Sequence, residues 1–268
     1  MSKYWHAINI GIQNTLVYRA NFLFRSVFGL IPLVGTIFLW RVVYAGKPSD
    51  PEVAGYTLAG MISYYLLVTI VDMLTAVTDD DWQIAGDIRE GNINQFLLKP
   101  IDYLTYRLCL FSANRVIYTM VALVPVGLFI LAQRRYFAMP ISAVSFGCFL
   151  LSTVLTGLLQ FLMSYSMALL AFWVLEVSTF IFILFAFEYI AGGHMFPLDI
   201  LPPWLAQLLN YTPFPYQLFF PVSIYLGRTA GAALWRGLLV QTFWVLLFYL
   251  IARWAWARGI RKYTAFGG

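Results

Sequence analysis

The chain has 268 residues, 61% of them hydrophobic and only 11% charged, with a net charge of +5. Soluble domains carry roughly a quarter charged residues and just under half apolar ones, so this balance excludes an ordinary soluble domain and points to a polytopic membrane protein. The basic excess does not signal nucleic acid, because the 17 lysines and arginines are scattered at the ends of apolar runs and form no exposed basic stretch.

No Gly/Ser-rich or charged linker divides the chain, and no fixed-period repeat runs through it. One all-α transmembrane domain over residues 1–268 is therefore expected. Cys109 and Cys148 both sit in apolar runs, which argues against a disulfide or metal role. No signal-peptide pattern follows Lys3.

Residues 1–20 place Trp5, Ile8, Ile12 and Leu16 at spacings of three and four, with Lys3, Asn9 and Gln13 facing away. This pattern predicts a helix lying in the lipid headgroup layer; the alternative is a frayed start of the first span. A bilayer core of roughly 30 Å takes about 20 apolar helical residues. Six stretches qualify: about 22–43, 56–77, 110–132, a run within 141–172, 177–195 and 235–257. The boundary between the fourth and fifth rests on the short polar break around Glu176. With both termini cytoplasmic, 11 of the 17 basic residues lie inside and 6 outside, and the positive-inside rule selects that orientation.

The second and third spans are joined by a polar loop, 78–107. It opens on Thr78, Asp79, Asp80 and Asp81, residues that favour a helix N-terminus. Ile93, Phe96 and Leu97 share a face at i, i+3, i+4, and Pro100 stops the helix after Lys99. The reading is a short cytoplasmic helix with an exposed apolar stripe, which must bury itself on lipid or in a partner's groove.

Between the fifth and sixth spans, 192–227 reads as a segment that dips into the bilayer without crossing it. Gly192 and Gly193 break the helix, and Pro197, Pro202 and Pro203 prevent it from resuming. Residues 201–211 are too short to cross yet apolar enough to enter. The aromatic content, with Phe196, Trp204 and Tyr211, argues against an ordinary surface loop, and part of it fits an interfacial aromatic belt.

Ionisable residues inside spans are costly, which singles out Asp72 and Glu188. Glu188 reads as an ion pair with an arginine across the bundle or as a substrate contact, with the pair favoured, and protonation is a third way to lower its cost. Asp72, near the inner end of its span, is expected to snorkel or to pair with Arg107 or Arg115 rather than to take part in transport chemistry. Asn114, Gln160 and Gln241 are candidates for hydrogen bonds between helices. There is no GxxxxGK followed by Ser or Thr, no HExxH, no CxxC and no GxSxG, so neither nucleotide binding by a P-loop nor a catalytic or metal site is supported.

The run Ile88-Arg89-Glu90-Gly91, then Ile93, and Phe96-Leu97-Leu98-Lys99-Pro100-Ile101 resembles the loop after the second span of type-2 ABC exporter permeases. The stretch Gly192-Gly193-His194-Met195-Phe196-Pro197, continuing through Leu201, Pro202 and Trp204, is similar to that family's segment before the last span. Pro213-Phe214-Pro215-Tyr216 with Pro221, Leu226 and Gly227 adds a weaker match. The resemblance implies a six-span permease of a bacterial plasma membrane with no cofactor and no catalysis of its own. Arg89 to Pro100 would form a coupling helix docked in a separate ATPase subunit that binds ATP and magnesium. Re-entrant helices from Gly192 to Trp204 would cap the outer mouth, and a second permease chain, identical or different, would complete the path. Export of an amphipathic or hydrophobic substrate is the implied activity. A membrane scaffold or lipid-modifying protein is the alternative, and a secondary transporter, which calls for inverted repeats not found in this sequence, comes third.

Overall fold

The computed structural model describes residues 2–17, 19–46, 52–78, 80–98 and 100–263. Lys47, Asp79 and Lys99, to which the sequence reading gave places in loops, lie outside the described residues. The described chain is all helical apart from one isolated bridge between Val53 and Tyr56. In chain order the helices are α1 (Ser2–Val17), α2 (Arg19–Ala45), α3 (Leu58–Thr75), α4 (Asp80–Arg89), α5 (Asn94–Leu97), α6 (Tyr103–Ala132), α7 (Ala143–Ala168), α8 (Ser178–Ala191), α9 (Pro203–Leu209), α10 (Phe219–Tyr225) and α11 (Gly231–Lys262).

Among the described residues five stretches are long and apolar enough to cross a membrane: Ala20–Ala45, Leu58–Arg89, Tyr103–Ala132, Ala143–Phe172 and Gly231–Lys262. The chain is a multi-pass membrane protein by these helices. Within the second stretch the backbone turns extended at Ala76, so α3 and α4 are separate helices. The third begins at Tyr103, seven residues before the predicted start, because Asp102 caps it: its Oδ2 accepts from the Thr105 amide at 3.0 Å and from the Thr105 hydroxyl at 2.7 Å. The fifth predicted span, 177–195, is realised as α8, which has only 14 residues. At 1.5 Å per residue it extends about 21 Å against a hydrocarbon core of roughly 30 Å. It starts after the predicted break, where Glu176 Oε1 accepts from the Ser178 amide at 3.1 Å, and stops at Gly192.

The centre of the bundle is α3, α7 and α10. Met61, Tyr64, Leu66 and Val71 of α3, Leu159 and Tyr165 of α7, and Val222 and Ile224 of α10 are fully buried. α1 and α2 pack on α6, while α7 carries α11, α10, α3 and α4. The outward faces of α2, α6, α8 and α11 are apolar, with Phe28, Leu128, Phe187 and Leu246 among their exposed side chains. Such a surface suits hydrocarbon as solvent and would be a liability in water. α1 buries its small residues: Ala7 is buried and Gly11 sits against Ala113 and Leu110 of α6, leaving Trp5 and Leu16 exposed.

One glutamine ties the centre together. Gln241 of α11 is fully buried, and its Nε2 donates to Ser152 O at 3.0 Å, Thr156 Oγ1 at 3.1 Å and Tyr216 O at 2.8 Å, while its Oε1 accepts from Ser152 Oγ at 2.9 Å. The expected inter-helix bond is thus made at Gln241. At Asn114 and Gln160 the side-chain oxygens are buried without a hydrogen-bond partner among the described residues.

Candidate functional site

The polar loop folds into a compact platform, and it differs from the predicted coupling helix. The chain between Ile88 and Pro100 is not one helix. Glu90 ends α4, Gly91 takes φ +80°, a left-handed conformation that favours glycine, and α5 has only four residues. Gly91 precedes the stripe of Ile93, Phe96 and Leu97, which keeps its spacing on one turn: the Ile93 carbonyl accepts from the Phe96 amide at 2.9 Å and from the Leu97 amide at 3.2 Å. Ile93 is fully buried, and the Phe96 ring packs 5.0 Å from both Tyr103 and Tyr106. The exposed apolar tip is instead Leu97, 45% exposed, and Leu98, 88% exposed. Arg89, Glu90 and Pro100 are exposed around it.

The platform is locked to the bundle by Arg107. This residue was expected to serve Asp72, but its buried guanidinium reaches α4 instead. Nη2 donates to Asp80 O at 3.1 Å and Gln83 Oε1 at 3.2 Å, and Nη1 lies 3.6 Å from Asp87 Oδ2. Tyr103 donates to the same Asp87 oxygen at 2.7 Å and stacks on Trp256 of α11 at 4.8 Å. Asp80 and Asp81 occupy the first turn of α4, where carboxylates offset the helix dipole. The other expected partner of Asp72, Arg115, donates to Thr78 Oγ1 at 3.3 Å and lies over the Tyr118 ring.

The 192–227 segment is held at the start of α3. Gly193 has φ +96°, and its carbonyl accepts from Tyr64 Oη at 2.6 Å; Met195 O accepts from Tyr65 Oη at 2.9 Å. A Cβ on Gly193 would stand 2.6 Å from Tyr64 Oη. Gly192 and Pro197 are buried, Phe196 and Leu201 half-buried, and Pro202 and Trp204 exposed. Arg228 clamps the far end. It donates to Asp199 Oδ2 at 3.0 Å and to the carbonyls of Gly55 and Ala54 at 2.9 Å each, and lies 3.9 Å over the Tyr56 ring. Tyr56 in turn donates to Asp199 at 2.8 Å.

Between α3, α4, α7 and α8 lies a cavity of about 480 Å³ that collects both intramembrane acids. Asp72 Oδ1 meets His194 Nε2 at 3.2 Å. Glu188 Oε1 accepts from Gln217 Nε2 at 2.8 Å, so its partner is a neutral amide rather than the expected arginine. Gln217 is buried, and its Nε2 also lies 3.1 Å from Met163 Sδ. Thr78, Gln160, Ser164, Asp81, Trp82 and Arg25 complete the polar lining, and Phe182, Phe185 and Tyr189 supply aromatic walls. The His194 ring stacks on Tyr189 at 5.6 Å. Sequence reasoning named Asp72 and Glu188 but gave no role to His194 or Gln217. The available signal was a histidine directly after a glycine pair inside an apolar context.

Among the described residues no group of three or more His, Cys, Asp or Glu is arranged to hold a metal ion. A family model described as "ABC-2 family transporter protein" (ABC2_membrane_6) matches residues 30–267. No curated protein matches the chain.

Proposed function

The chain belongs to the ABC-2 transporter family, as its membrane permease component, and from that premise we propose an exporter half driven through α4 by a separate ATPase. ABC-2 permeases generally pair with ATPase subunits, and their membrane domains usually lack catalytic activity. The observation that carries the proposal is the double role of α4. One face, through Asp80, Gln83 and Asp87, is bound to Arg107; the other, through Asp81 and Trp82, lines the intramembrane cavity.

In this mechanism the ATPase receives the exposed Leu97–Leu98 tip together with Arg89, Glu90, Gly91, Lys99 and Pro100. Closure of two ATPases around ATP and magnesium moves the tip. The Arg107 clamp makes α4, α5 and the start of α6 one rigid lever, so the displacement reaches Asp81 and Trp82 and reshapes the cavity. Rigid-body motion of packed elements is the usual form of such coupling, and ATP drives it only through different affinity for the two states.

The remaining assignments complete the proposal. Both termini are cytoplasmic, as the distribution of basic residues favours. α8, which packs lightly and exposes Ile183, Phe187 and Ile190 away from the cavity, counts as the sixth transmembrane element and meets a second permease chain. The 192–227 segment re-enters the membrane as an outer cap. Support for this comes from Tyr216, whose carbonyl is bonded by Thr156 and Gln241, well inside α7 and α11. α1 lies in the headgroup layer with Trp5 and Leu16 toward lipid. The cargo is amphipathic or hydrophobic.

The test is co-purification with the ATPase subunit, followed by ATP turnover. Leu98→Asp and Leu97→Asp are expected to strip off or uncouple the ATPase while the permease still inserts. Unchanged association and turnover in both variants would remove the docking proposal.

A further inference from the structure

We propose that the cavity between α3, α7 and α8 binds an amphipathic organic cation. That this cation is also the exported cargo rests on the permease reading above; the binding site does not.

Three features argue for a positive ligand bearing hydrogen-bond donors. The cavity carries three carboxylates, Asp72, Asp81 and Glu188, against the single guanidinium of Arg25 and the imidazole of His194. Glu188 has no ion-pair partner among the described residues; a neutral amide holds one of its oxygens. Gln160 lines the same cavity at 7% exposure, and its Oε1 is buried without any partner. A buried acceptor left unpaired costs free energy that a donor on a ligand would recover. An ammonium or aryl-amine group offers N–H donors to Gln160 and Glu188 together, and charge-assisted bonds of this kind are the strong ones.

The walls supply the apolar half of the ligand. Trp82, Phe182 and Phe185 present rings to the cavity, and an aromatic face attracts a desolvated cation as well as an apolar body. The volume of about 480 Å³ falls within the range of roughly 300–1,000 Å³ common for small-molecule sites. An anion would meet like charge in a medium of low dielectric. A bare metal ion is disfavoured because the carboxylates are not grouped as a ligand set.

Ethidium, a planar aromatic cation with amine donors, is a suitable probe. The purified permease in phosphatidylcholine nanodiscs is expected to show saturable ethidium fluorescence above that of empty discs. Glu188→Gln should weaken it about tenfold or more, the loss of one charge-assisted bond, with an unchanged melting temperature. Phe185→Ala, at an exposed position, should weaken it without touching the charges and carries the test if Glu188→Gln does not fold. The anionic dye anilinonaphthalene sulfonate should show no saturable binding. Equal ethidium affinity in the parent and the folded variants, or tighter binding of the anionic dye, would overturn the proposal. Binding is read on the permease alone. Loss of ethidium binding with intact ATPase association therefore refutes only the site, whereas ethidium binding without ATP-driven transport supports the site and refutes the export reading.

Discussion

Arg107 Nη1 lies 3.6 Å from Asp87 Oδ2, joining the first turns of α6 to the last turns of α4. With the bonds to Asp80 O and Gln83 Oε1, this buried guanidinium ties α4 to the start of α6.

Arg107→Met should free that joint. Removing one partner of a buried ion pair leaves the other uncompensated and costs about 3 kcal/mol. Thermal melting of the purified permease is expected to fall accordingly, and ATP turnover should become insensitive to the permease even where the ATPase still binds. Arg107→Lys should recover only part of this, because an ammonium cannot reach Asp80, Gln83 and Asp87 with one planar fork. Turnover that stays coupled in Arg107→Met would show that the lever does not pass through this residue.

Gln241→Leu should destabilise the bundle by about 1–3 kcal/mol, because the Ser152 carbonyl and the Thr156 hydroxyl lose the amide donor and the Tyr216 carbonyl keeps only Thr156. Ser152→Ala, which removes only a donor to Gln241 Oε1, should cost less. Denaturation midpoints in the same detergent rank the two; the reverse order would mean that the glutamine does not anchor the 192–227 segment.

Gly193→Ala meets two separate obstacles, the positive φ of +96° and the Tyr64 hydroxyl 2.6 Å from the new Cβ. The backbone part alone is on the order of 1–3 kcal/mol. Adding Tyr64→Phe removes the hydroxyl, and with it the bond to the Gly193 carbonyl, but not the strain, so the double variant should still melt below Tyr64→Phe alone. Full recovery to the Tyr64→Phe value in the double variant would assign the whole effect to the contact.

Asp102 should make the α6 start sensitive to acid. Burial raises its carboxyl, but the hydrogen bonds from Thr105 and the bond and charge of Arg253 outweigh that and hold it below the ordinary carboxylate value. A lowered pKa in the folded state stabilises the protein above the unfolded-state value and is lost as pH falls through the folded one. Melting temperature is therefore expected to drop on acidification below the usual aspartate range of about 4. In Asp102→Asn that component of the drop should be smaller. Identical acid profiles would mean that the cap does not titrate.

Local chemistry made much of this protein legible in advance. The five long apolar stretches, the acidic start of α4 at Asp80 and Asp81 and the break at Gly192 follow from apolar length, capping and glycine, which act within a few residues. The resemblance carried by Arg89 to Pro100 and by Gly192 to Trp204 agrees with the family that residues 30–267 match.

What the linear pattern could not decide is where each polar or apolar side chain finds its partner. Ile93 looked like part of an exposed stripe and is fully buried, while Leu97 on the same turn stays exposed. Asp72 and His194 are 122 residues apart in sequence and hydrogen-bonded in space, and Glu188 meets Gln217 rather than an arginine. Periodicity and length determine which segments are helices and which of their faces are greasy. Inside a membrane bundle, though, a buried polar group takes whichever partner the packed backbone brings within about 3 Å, and only the folded chain settles that choice.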